Sequence, residues 1–302
     1  YANLIPSHRF SPSVIDRLAT SVYRIKAVAT CHPIYSSLGT QSKKMNPAER
    51  LLSIYDKLVS QQQDRPMIQT WADVFGLDLS SENLEDEVTT CIVALRAQVD
   101  FARMRLSAND VPAGLSSPGF DRLKHVASPG QLNQSWNNMR GNVQTPECRQ
   151  SFAWGAWVLR AESENEMPSE ELQELLIGLN SLEEALGDTE MSPYLREFIQ
   201  RQVDTIRAAL RVYGVQGARP LHEAMRKVVG DIKVEEEQLL KENEAAPDKA
   251  KGVLAKTAEV IEKTAKVCDN LEKIKKFGEG VYSLTCKVGP LLLPYISKVT
   301  GG

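Results

Sequence analysis

Residues 193–214 read PYLREFIQRQVDTIRAALRVYG, and the placement of their apolar side chains decides the fold class. Leu195, Phe198, Ile199, Val203, Ile206, Leu210 and Tyr213 recur every three or four residues. That spacing puts them in one stripe along an α-helix, because 3.6 residues make a turn. Pro193 stands where a helix tolerates proline, in a first turn whose N–H groups have no partner in any case. The same grammar repeats outward in both directions. Leu51, Leu52, Tyr55, Leu58 and Val59 form one stripe; Leu84, Val88, Cys91, Ile92, Leu95, Val99, Ala102 and Leu106 form another. Leu172, Leu175, Leu176, Leu179, Leu182 and Leu186 form a third. Of the nine prolines between 45 and 245, all but Pro112 sit just ahead of such a run, Pro118 among them. Gly76, Gly187 and Gly214 fall where runs stop, as C-terminal caps do. No segment alternates with period two, so no strand is expected. The sequence predicts an all-α protein: a bundle-like domain of eight or nine helices, followed by a long amphipathic C-terminal helical tail.

Charge divides the chain into three regimes. Residues 1–44 carry six basic side chains and one acid; residues 45–247 carry 20 bases, 15 of them arginine, against 32 acids. Residues 248–302 carry ten bases, all lysine, against six acids. The expected domains follow these lines: an extension at 1–44 outside the fold, an acidic helical domain at 45–247, and a basic tail at 248–302 with an apolar terminus containing Gly and Pro. Met45 reads as the natural start, because a complete helix-start signal follows it. Asn46 is the N-cap, Pro47 takes the first helical position and Glu49 closes a capping box. With a net charge of -3, the whole molecule has no bulk attraction for polyanions, and nucleic acid is not an expected partner.

The tail repeats every seven residues. Val253, Val260, Val267, Ile274 and Val281 occupy one heptad position, with Leu271 among the residues four places on. Such a stripe predicts a seam facing another apolar surface. Thr257, Thr264 and Gly278 bury little at the second position, so the seam is weak for a self-sufficient dimer. From Val281 to Val299 the chain is mostly apolar, yet Lys287, Pro290, Pro294 and Lys298 interrupt it, which disfavours a membrane span. The expected partners of the seam are therefore a protein, a second copy of the chain, the chain's own acidic domain, or an anionic membrane surface.

Catalytic signatures are missing. The chain has no phosphate-cradling glycine loop, no His-Glu-x-x-His and no Gly-x-Ser-x-Gly. Its four histidines are scattered, and His125 and His222 are expected to be partly exposed bystanders. The five cysteines form no Cys-x-x-Cys, a pattern suited to a reducing, cytosolic setting, with membrane association left to the tail. No catalytic, cofactor or metal residue is expected. Aromatics do concentrate: Trp136, Trp154 and Trp157 lie within 22 residues of one another, next to Phe152. They serve either as wedges for the irregular segment 107–150 or as an aromatic platform for a ligand. The expected function is that of a non-enzymatic helical interaction protein, with a tail that docks on protein or membrane. Its two-part layout resembles that of bacterial conflict or defence effectors, an analogy of architecture alone. The alternative is an enzyme whose site lies in 107–157, marked by a deep pocket that gathers carboxylates from separate helices.

Overall fold

The computed structural model describes residues 44–271, and side chains through Cys268. Asn46 opens the first helix, α1 (Pro47–Val59), as its sequence signal requires. Its side-chain oxygen accepts the N–H groups of Ala48 and Glu49 at 3.0 Å, and Glu49 in turn accepts the Asn46 N–H at 2.7 Å. Three N–H donors at the helix start are thus satisfied by the reciprocal pair Asn46 and Glu49. There follow α2 (Met67–Phe75), α3 (Leu84–Ala108), α4 (Ala113–Val126), the short α5 (Trp136–Arg140) and α6 (Pro146–Val158). Then come α7 (Ser169–Asp188), α8 (Pro193–Gln216), α9 (Arg219–Val234), α10 (Glu236–Ala245) and α11 (Asp248–Leu271). The fold is all-α. Among the described residues the only ladder joins β1 (Lys44–Met45) to β2 (Glu164–Asn165), antiparallel, with Lys44 opposite Asn165. Two residues per strand are too few for alternation to show in a sequence.

Several boundaries differ from the sequence reading. Ten helices precede Pro247, because five-residue α5 is too short to show a period and α9 and α10 part at a single residue, Glu235. Pro118 lies inside α4 rather than at its start; the proline ahead of that helix is Pro112. The bond Pro118 cannot make would go to the Gly114 carbonyl, and both residues are exposed, so water can satisfy it. Gly214 is interior to α8, which ends instead at Gly217.

Two apolar clusters fill the described chain. The first gathers α1 to α6 around Trp71, Trp136, Phe120 and Phe152, all fully buried. The second lies among α7, α8, α9 and α11, which neighbour one another in a closed ring. Val253, Val260 and Val267 belong to that second cluster, together with Leu175, Leu179 and Leu182 of α7. The change of composition at Pro247 therefore marks the turn between α10 and α11, not an edge of the core: α11 is the fourth wall of a bundle whose other three walls precede it. Thr257 and Thr264, weak on paper, are buried with their hydroxyls donating to the Val253 and Val260 carbonyls at 2.9 and 2.7 Å. Long α8 joins the two clusters, with Leu195 to Leu210 in the second and Val215 in the first.

At the break between α9 and α10, Glu235 accepts the Tyr194 hydroxyl at 2.6 Å and pairs with Arg201 at 2.6 Å. Burial, and then the hydrogen bond to Glu235, push the Tyr194 phenol up to about 12. An unfolded phenol titrates near ~10. The unfolded state therefore loses its proton first, and stability present below that pH is lost as pH rises from there through about 12. Tyr194→Phe should flatten this alkaline fall in chemical-denaturation stability and remove one late-titrating phenol from the near-ultraviolet absorbance. An unchanged alkaline limb would count against the assignment.

Candidate functional site

Trp154 and Trp157 stand three residues apart on α6, so they share one face of it, and that face is turned to solvent. Trp154 is 50% exposed, Trp157 62% and Leu115 of α4 52%. With Gly114, Pro118, Ala153, Ser151, Gln150 and Glu147 they line a groove of about 600 Å3 between α4 and α6. The groove exists because the two helices cross very closely. A Cβ at Gly119 would lie 2.8 Å from both the Cys148 carbonyl oxygen and the Ser151 Cβ, so no larger residue fits there without movement. Beneath the crossing, Phe152 packs on Phe120 with ring centroids 4.9 Å apart and on Tyr55 at 5.3 Å. The rings of α6 thus divide by face, Phe152 inward and the tryptophans outward.

The groove is framed by charge. The Arg160 guanidinium sits 4.2 Å from the Trp157 ring centroid and donates to the Trp157 carbonyl at 2.8 Å. This stacking holds the ring in place while leaving its other face free to bind. At the opposite end, the Glu147 carboxyl is held below the usual carboxylate range, first by its own backbone N–H and then by the Thr145 side chain. The rim therefore carries a fixed negative charge at the N-terminus of α6. Trp136 does not join the platform. It is fully buried in the first cluster, where its indole N–H donates to the Gln61 carbonyl at 3.0 Å. Leu115 and Arg160 carry no signal in the sequence; the spacing of Trp154 and Trp157 is the signal available.

A second concavity, of about 320 Å3, lies where α8 turns into α9. Arg50 pairs with Glu164 at 2.5 Å, and Glu164 also accepts the Ala218 N–H at 3.2 Å. Arg105 grips Glu162 through two bonds of 2.7 and 2.9 Å. Arg219 lies 4.4 Å from the Phe101 ring centroid and reaches Gln98 at 3.5 Å. His222 lines this cavity and is buried, so it is no exposed bystander; His125 is exposed. Glu162 and Glu164 are thus committed to arginines. The arrangement works as a clasp between the two clusters.

Of the seam residues, Val253, Val260 and Val267 face this chain's own α7 and α9. Leu271 is the last residue of α11, with its side chain outside the described set; Ile274 and Val281 lie outside the described residues, as do residues 1–43. Cys91, Cys148 and Cys268 are buried. Among the described residues no group of three His, Cys, Asp or Glu side chains could hold a metal, and no helix is long and apolar enough to cross a membrane. No protein-family model, no curated protein and no solved structure matches the chain.

Proposed function

We propose that the chain is a non-enzymatic helical interaction protein that receives an apolar, basic-flanked polypeptide segment in the groove between α4 and α6. The observation that carries this reading is the outward pair Trp154 and Trp157, set beside Leu115 on a rigid helix crossing. Two large rings and a leucine left half in water lose hydrophobic free energy unless something covers them, and tryptophan is the residue most often found at binding hot spots. Glu147 at the rim favours a lysine or arginine next to the apolar contact. The enzyme reading draws less support. The groove over 107–157 is open, and Glu147 is its one carboxylate.

The test is selection of displayed peptides on the full chain, followed by affinity measurement with the variant Trp154→Ala/Trp157→Ala. Hot-spot truncation costs at least ~2 kcal/mol, so binding should weaken about 30-fold or more per ring. Melting should hardly change, because both side chains are half in solvent. Peptides that bind the double variant equally well would remove the groove from consideration.

A further inference from the structure

The identity of the occupant can be taken further, on the footing that the groove is a docking surface. We infer that in the full chain the groove between α4 and α6 is covered by the chain's own C-terminal residues 288–297, VGPLLLPYIS.

Three observations favour this segment. The first is reach. Sixteen residues lie between Leu271 and Val288, and seventeen steps of an extended chain at ~3.3–3.6 Å each reach roughly 55–60 Å. A folded body the size of residues 44–271 has a radius of gyration of only ~17 Å and is about 45 Å across. The tether can therefore deliver the segment to most of that body's surface. The starting point is also favourable: α11 packs against β2, whose Glu164 follows Trp157 by seven residues.

The second observation is chemical fit. Pro290 and Pro294 bracket three leucines, and Tyr295 and Ile296 follow. Proline-punctuated apolar runs lack a continuous helical hydrogen-bond ladder and suit aromatic-lined grooves, because the fixed φ of proline lowers the entropy cost of docking. The same prolines, with Lys287 and Lys298, make the run unfit to span a bilayer, so its apolar side chains need another cover.

The third is charge. Lys287 and Lys298 flank the run, and no carboxylate follows Glu279. The groove presents the opposite sign through Glu147. Tethering multiplies the effect: a site and its occupant on one chain meet at an effective concentration that reaches the ~mM range, so even a weak contact can be saturated.

The tryptophans themselves supply the readout. Trp71 and Trp136 are fully buried, so the acrylamide-quenchable emission of the native full chain reports on Trp154 and Trp157. With the groove covered, quenching of the wild-type chain should be weak and independent of protein concentration. Leu291→Asp/Leu292→Asp/Leu293→Asp should raise it severalfold while the helical circular-dichroism signal is retained. Introducing Trp154→Phe/Trp157→Phe into both backgrounds should abolish the difference. Strong quenching of the wild-type chain, unchanged by the triple substitution, would overturn the assignment. Protection that vanishes on dilution would replace it with a second copy of the chain, and protection that needs anionic vesicles would replace it with a membrane surface. Displayed peptides separate the two ideas. If they bind the triple variant through Trp154 and Trp157 while the wild-type groove is open, docking stands and only the proposed occupant falls. If they bind neither form, the docking surface itself is refuted.

Discussion

Val267→Asp should unfold the bundle formed by α7, α8, α9 and α11, while Lys266→Ala, one residue away, leaves it intact. Val267 is 6% exposed and belongs to the second apolar cluster. Removing a buried valine side chain forfeits ~1.5–3 kcal/mol of burial. The carboxylate that replaces it must either leave water, at a cost of several kcal/mol, or drag the helix outward and open the seam. A loss of at least ~4 kcal/mol is expected, a large share of the 5–15 kcal/mol that typically stabilises a domain. Lys266 belongs to the solvent face. Its side chain is 69% exposed, and its pairing with Glu262 at 2.8 Å is an i,i+4 surface contact. Such pairs contribute ~0–1 kcal/mol and are screened by salt. Chemical denaturation followed by circular dichroism separates the two variants. If the lysine change cost more than the valine change, α11 would be held by its charges and the heptad would not be its core face.

This asymmetry also shows what the sequence could and could not reveal. The period of Val253, Val260 and Val267 was legible because a buried helical face repeats with the helix itself. What covers the face was not, since any apolar surface satisfies the same pattern, and here the cover is α7 and α9 of the same chain. The shift to lysine after Pro247 pointed to a separate domain because composition is dominated by the exposed side chains. The opposite face of α11 decides the packing, and it is as apolar as its neighbours. Thr257 and Thr264 counted as weak positions until their hydroxyls were seen returning to carbonyls one turn back. The start of α1 was readable in full, because a capping box involves four consecutive residues and nothing distant. The tryptophans were not. Trp136 and Trp157 look alike in a string of letters, yet Trp136 is buried with its indole N–H on the Gln61 carbonyl while Trp157 lies on the solvent face of α6. The clasp of Arg50 with Glu164 joins residues more than a hundred positions apart, beyond the reach of any local rule.

That clasp sets the second large effect, at Gly217, where substitution by alanine should be among the most damaging in the chain. Gly217 has φ 70 and ψ -146, a conformation that only glycine adopts without strain. Holding a residue with a Cβ there costs ~1–3 kcal/mol. Space is short as well: the added methyl would overlap Glu164 Oε1 and the guanidinium of Arg50. Neither group can simply swing aside. Arg50 is buried and paired with Glu164 at 2.5 Å, while Glu164 sits on β2 and accepts the Ala218 N–H. Making room means parting a largely buried ion pair, and breaking such a pair costs ~3–5 kcal/mol. The sum is a loss of at least ~4 kcal/mol, against a change within ~1 kcal/mol for Gly187→Ala, where a Cβ meets nothing within 4 Å and the helix continues. A double-mutant cycle apportions the terms. In an Arg50→Ala background no ion pair is left to part and only the overlap with Glu164 remains, so Gly217→Ala should there cost less than in the native chain. Equal costs in both backgrounds would show that the glycine serves the turn alone and that the ion pair does not depend on the close approach.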